Sequence, residues 1–243
     1  MRKISTAKLR KWLLVGLGFG AAVSALLGAL PICDYGQGLA LNLATELAGA
    51  LVTYVLLQLV IGRREEEEAK RTGLIAQMGS QVLGDAIRAV EELRRHGWLH
   101  NGSLQGANLE KANLEGADLV GANLQEALLR GVNLQGANLQ MANLRGASLD
   151  QANLQGIDLS RANLERANLI WANLQRADLV GANLQGAFLV MTDLQGAGLL
   201  GTNLQGATLN EAILPDGRKW IPGTDITRFT NPAHPDFWLP DAQ

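Results

Sequence analysis

Three kinds of residue in this 243-residue chain have the type and spacing to carry chemistry. His96 and His100 stand four apart, the spacing at which two imidazoles on one helix face can share a metal. Gly97 and Gly102 end a helix there, so the pair reads as part of a cap, and no metal or other cofactor is expected. The third histidine, His234, falls in a proline-rich tail. Glu46 is the sole acid inside either of two long apolar stretches, where a carboxylate can serve as a proton or cation site. It follows Asn42, a candidate helix cap, and the dipole of a first helical turn tolerates a carboxylate there. Cys33, the single cysteine, can make no intramolecular disulfide and reads as a passive thiol. The chain has no glycine-rich phosphate loop between strand and helix and no serine-nucleophile motif, so no catalytic residue is assigned and no enzyme is expected.

What must position any functional surface is the stretch from Gly102 to Asp216. Every fifth residue from Leu104 to Leu214 is leucine, 23 in unbroken register. Ala stands two residues before the leucine in 18 units, and Asn or Asp immediately before it in 16. In an α-helix five residues turn about 500°, so these leucines would wander around the axis. In a flat strand an odd spacing would throw them to alternate faces. A chain that bends once per unit satisfies the pattern, with Leu and Ala inside and neighbouring coils stacked.

The units that break the rule set the coil size. Asn or Asp is replaced by Ser103, Leu128, Ser148, Phe188, Gly198, Thr208 and Ile213, and four of these seven share one 20-residue register. Twenty residues is four units, which predicts a four-sided coil; five to six coils at strand-like spacing make a rod on the order of 27 Å long.

Runs such as Ala107-Asn108-Leu109, Ala112-Asn113-Leu114 and Ala117-Asp118-Leu119 resemble the pentapeptide-repeat proteins over nearly half the chain. The resemblance implies an all-β repeat solenoid, a right-handed quadrilateral β-helix with short bridges or turns on each side and Asx residues near the corners. Those Asx side chains are expected to hydrogen-bond local backbone. Some members of that family are DNA mimics that bind DNA gyrase through an elongated acidic surface. Between Asn101 and Asp216 there are eleven acids against six bases, a modest excess, so that role is kept as the alternative.

Ahead of the solenoid the composition changes. Residues 1–11 carry Arg2, Lys3, Lys8, Arg10 and Lys11 without an acid, and residues 12–33 carry no charge at all. A second span, about 43–62, ends at Arg63-Arg64, with the connection Asp34–Gly38 between them. Both apolar runs can cross a bilayer as helices, and the basic outer ends put both termini in the cytoplasm. The expectation is an integral membrane protein, in a bacterial inner membrane or its equivalent, contacting lipid through an α-helical transmembrane hairpin over 12–62. Gly16, Gly20, Ser24 and Gly28 form a small-residue stripe suited to helix packing, within the hairpin or in a homodimer.

Residues 63–100 read as an amphipathic linker helix, with Ala76, Gly79, Leu83, Ala86, Val90 and Leu93 on one stripe and breaks at Gly73, Gly79 or Gly84. Its end, Trp98 and Leu99, is expected to cover the first coil of the solenoid, 101–216. The tail, 217–243, holds Trp220, Phe229, Phe237 and Trp238 among prolines and is expected to cover the last coil. The hairpin, the helix ending in Gly97-Trp98-Leu99 and the tail with Asp236-Phe237-Trp238 are similar to an arrangement in membrane-anchored bacterial pentapeptide-repeat proteins.

The outward positions carry the remaining signal. Ile170, Trp171, Phe188, Val190 and Met191 collect on one side in two successive coils, where other units place Gln, Glu, Arg, Gly or Asn. An apolar patch of this kind is a candidate docking surface for a protein or for the membrane surface, unless the tail or a second copy covers it. With a formal net charge of −2 there is no basic field for nucleic acid, and no nucleic-acid partner is expected. The reading is a membrane-anchored scaffold or protein-binding module presenting a rigid rod to a protein partner. A small transport-associated membrane protein is a further alternative, resting on Glu46.

Overall fold

A computed structural model describes the chain from Asp34 to Pro240. It divides into two compact units, Met1–Glu68 and Ala69–Gln243. The first-span residues, Cys33 and the small-residue stripe lie outside the described residues.

The first described element is α1, Asp34–Met78. Asp34–Gly38, read from sequence as a connection, is helical, and the helix passes through Gly62 and Gly73 without a break. No proline lies between Asp34 and Met78, so each glycine only lowers helix preference by about 1 kcal/mol, which a long helix tolerates. From Glu46 onward α1 is long and apolar enough to cross a membrane, with a mean hydropathy of 1.4 in its most apolar stretch. Leu47, Tyr54, Leu56 and Leu57 are all exposed.

Of the three glycines at which a break was expected, only Gly79 supplies one. A Cβ on Gly79 would sit 3.3 Å from the Ala76 carbonyl and 3.4 Å from that of Asn108, so a side chain would disturb the close approach to the first coil. The Ser80 hydroxyl then accepts from the Val82 amide (3.0 Å), and α2 runs Leu83–Arg95. It buries Ala86, Ala89, Val90 and Leu93 against the solenoid's core and turns Asp85, Arg88 and Arg95 to solvent. At its end Gly97 takes φ 69°, while Trp98 N–H donates to Leu93 O and Gly97 N–H to Arg94 O. That is a Schellman stop.

The solenoid follows. Single-residue parallel bridges join positions twenty apart, from Asn108↔Leu128 to Asp193↔Ile213, so the coil has four sides. We label the sides by their bridge columns: A begins at Asn108, B at Asn113, C at Asp118 and D at Asn123. Among the described residues no run of bridges extends to a longer strand, because each side holds one extended residue before the chain turns. Ala112 N–H donates back to Leu109 O (3.2 Å) across each such turn, while Leu109 N–H donates up to Leu128 O (2.8 Å). Every leucine of the register except Leu204 is at most 4% exposed.

Two devices hold the coils in register. Each of the sixteen Asn and Asp residues before a core leucine accepts a hydrogen bond from the amide two residues on, as Asn108 does from Glu110 (3.1 Å). On side D the Asn amides also bond from coil to coil, Asn143 to Asn123, Asn163 to Asn143, Asn183 to Asn163 and Asn203 to Asn183. Where Thr replaces the inward Ala, its buried hydroxyl donates to a carbonyl: Thr192 to Leu169 and Thr202 to Leu179, each 2.7 Å. This avoids the cost of an unpaired polar group in an apolar interior.

Both ends are covered in part. At the N-terminal end Ser80 O and Leu99 O accept from the amides of Asn113 and Asn123, His100 Nδ1 meets Gly121 O at 2.8 Å, and Arg94 pairs with Asp118. At the C-terminal end a hairpin returns over Ile213↔Lys219, and α3, Thr227–Thr230, brings Phe229 into the core with Trp238 against its edge. Thr230 O replaces a further coil by accepting from Gly201 N–H (2.8 Å). Leu204 and Ala207 remain half-buried, so the tail does not close sides D and A of the last coil.

Candidate docking surface

Each unit of the solenoid ends on a corner residue with positive φ, required by a turn of this shape at its third position. Glycine takes this conformation freely, and between residues 106 and 211 it occupies twelve of the 22 corners. Other residues pay roughly 1 kcal/mol or more for it. The corner after side A departs from the glycine rule in four coils running: Gln151 (φ 60°), Trp171 (63°), Met191 (56°) and Glu211 (63°).

The five patch residues lie on this side and its corner. Asn168 bridges Phe188, and Trp171 N–H donates to Val190 O (3.1 Å), which binds the two coils of the patch together. Trp171 is 60% exposed, Phe188 46% and Met191 39%, with Ile170 and Val190 half-buried. The patch is therefore uncovered by the tail. Phe188 stands where an Asn would make the local turn bond, so the patch gives up one such bond. The left-handed backbone under Trp171 and Met191 was not legible residue by residue, although the glycines recurring at the same unit position signalled it. Leu128, 41% exposed, lies on the same side three coils earlier.

Charge is distributed unevenly around the coil. Beside the patch, Asp150 pairs with Arg130 (3.2 Å), Glu165 with Arg145 (3.6 Å) and Arg166 (3.8 Å), and Glu211 with Lys219. Sides B and C with their corners each carry three acids and one base: Glu115, Asp193 and Asp216 with Arg176, then Asp118, Asp158 and Asp178 with Arg161. Burial pushes the Asp158 carboxyl up, but hydrogen bonds from Gln140 and from the Ser160 amide and hydroxyl outweigh it and hold the group below its ordinary value.

The other chemistry-bearing residues are not brought together. His96 stacks on Trp98 at 4.5 Å with its Nε2 2.8 Å from Lys70 Nζ, His100 bonds the first coil, and His234 pairs with Asp225 (3.0 Å). Among the described residues no His, Cys, Asp or Glu cluster could hold a metal. An open cleft of about 850 Å³ beside Trp238 is lined by Gln155, Gln175, Arg176 and Asp178.

Compared with known proteins, the chain matches the family model described as pentapeptide repeats, eight copies, over 99–131, 127–166, 142–179, 162–199 and 177–216. The pentapeptide repeat protein Rfr23 from the cyanobacterium Cyanothece 51142 is 34% identical over 47% of this chain and 91% of its own, with a TM-score of 0.44. HetL from Nostoc PCC 7120, a pentapeptide repeat protein involved in heterocyst differentiation regulation, is 36% identical over 47% of this chain and 67% of its own (TM-score 0.22). QnrB1, a plasmid-mediated fluoroquinolone resistance protein, is 25% identical over 47% and 61% (TM-score 0.38). No curated protein matches the chain.

Proposed function

Because the chain belongs to the pentapeptide-repeat family through residues 99–216, we propose that it is a non-enzymatic, membrane-anchored scaffold whose solenoid offers a stiff rod for docking. The observation that supports this best is the helix Glu46–Met78, in which Leu47, Leu51, Val52, Leu56, Leu57 and Val60 stand exposed. A surface of this kind is stabilised by removal from water, which a bilayer core provides. In this reading residues 12–62 form a two-helix hairpin, both termini are cytoplasmic, and the coil is right-handed. The core leucines supply stiffness, the caps stop end-to-end addition, and outward residues recognise what binds. Glu46, at the start of the exposed helix, then needs no transport role, and Glu46→Gln leaves membrane retention and solenoid folding unchanged.

The test is fractionation of cells making the full chain. We expect it to stay in the membrane pellet after alkaline carbonate, with both termini open to protease only in inverted vesicles; release into the supernatant would end the anchored reading. A second reading is favoured by one observation, the aspartates of side C. If the full chain in detergent inhibits gyrase supercoiling, and Asp118→Asn, Asp158→Asn and Asp178→Asn together abolish this, a DNA-mimic role replaces the scaffold.

A further inference from the structure

We infer that the patch around Trp171 is a bilayer-contact face, the side of the solenoid that lies in the headgroup region of the membrane, leaving the acidic sides B and C to the aqueous phase. This rests on the anchored reading, which keeps the solenoid near lipid. Three observations carry it.

First, the fold leaves the side chains of Trp171, Phe188 and Met191 exposed. Trp171 and Met191 are two of the ten corners between residues 106 and 211 that carry a side chain; seven of the other eight are charged or polar, whereas these two are apolar, exposed and stacked on one side. Side chains kept at a conformational disadvantage, and not buried by the chain, are explained by what they touch outside it.

Second, the composition is that of an interface. Trp, Phe, Met, Ile and Val form an apolar surface whose one polar side-chain group is the indole N–H, and an exposed indole has its preferred place at the boundary between headgroups and acyl chains.

Third, charge selects the side. Sides A and D with their corners hold five acids against four bases and the tail's Lys219, with Asp150, Glu165 and Glu211 in ion pairs, so this part of the rod approaches phosphate headgroups without net repulsion. Sides B and C hold six acids against two bases; the caps pair two of these acids, Asp118 with Arg94 and Asp216 with Arg218 and Arg228, and the four that remain keep these sides acidic and turned from an anionic surface.

The experiment uses the full chain in vesicles of phosphatidylcholine and phosphatidylglycerol. Cys33, the sole cysteine, is changed to Ser, and a single cysteine is placed at Met191→Cys or, on the corner after side C, at Arg161→Cys. Each is labelled with an environment-sensitive fluorophore. We expect the label at 191 to shift to the blue and to be quenched by lipids brominated on the acyl chain, and the label at 161 to do neither. Quenching at 191 should be lost with Trp171→Gly, a variant that keeps the corner conformation and whose fold is checked by circular dichroism. Water-like emission at both positions, in a chain that still resists carbonate, overturns the inference and leaves the anchor standing. A blue-shifted label at 191 that brominated lipid does not quench, but that cross-links to a second chain or to another protein, also overturns it. Extraction by carbonate removes the anchored reading and this inference with it.

Discussion

Leucine does opposite things in the two regions of this molecule. The solenoid leucines of the five-residue register point inward and are at most 4% exposed at all but one position; along α1 leucine stands open, with Leu47 at 63% and Leu57 at 54%. Hydrophobicity does not distinguish them. The solenoid forms its own interior because each leucine finds the leucines of the coils above and below, whereas among the described residues α1 has no second layer over its apolar stretch. The same residue type thus closes an interior in one region and leaves an apolar surface open in the other.

The contrast can be broken most severely at the rod's centre. Leu149→Ala should destabilise the solenoid by about 2–5 kcal/mol, since the coils on either side cannot collapse into the space. Leu57→Ala should leave the same transition unmoved, and chemical denaturation followed by circular dichroism in detergent separates the two. In α1 the damaging change is a charge: Leu57→Asp carries an insertion penalty of about 3 kcal/mol on the biological scale. It should raise the carbonate-extracted fraction, while the solenoid unfolds as before.

Smaller changes sharpen how the interior tolerates polar groups and corners. Thr192→Val keeps the shape but removes the hydroxyl that bonds Leu169 O, leaving that carbonyl with one partner fewer at a cost of about 1 kcal/mol. Trp171→Gly should stay within about 1 kcal/mol of the parent, the relief of the left-handed backbone being offset by glycine's greater freedom when unfolded. A large loss of stability there would show that the indole belongs to the fold after all.

The smallest effect concerns acid. Asp158 is held below its unfolded value of 3.8, so it favours the ionised, folded state. Its contribution is complete above that value and is lost as pH falls through the lower folded one. Asp158→Asn should therefore weaken the dependence of stability on pH below about 4 and change nothing in that slope near neutrality, which acid titrations of both chains would reveal.

Much of this architecture is legible from residue types alone. The exceptions at Leu128, Ser148, Phe188 and Thr208 already imply a twenty-residue coil, and bridges such as Phe188↔Thr208 obey it. The roles of Asn108 and its counterparts follow from the reach of a short amide to backbone two residues on. The patch of Ile170, Trp171, Phe188, Val190 and Met191 was assembled from the same register. What did not follow was continuity and cover. Asp34–Gly38 has the composition of a turn, yet local preference is weak enough for flanking helix to extend through it. The stripe including Ala86, Val90 and Leu93 is as compatible with a partner helix as with the open first coil against which it packs.

The sequence by itself determined the core and its period, because burying one leucine per bend is a local condition repeated at every unit. Only the tertiary structure decided which apolar residues stay uncovered, which acids are neutralised and which corners carry a side chain in a left-handed backbone. Those properties depend on neighbours twenty residues away and on caps joined to opposite ends of the rod. A physical contact between such segments depends on how coils and caps pack, and no spacing within one unit records it.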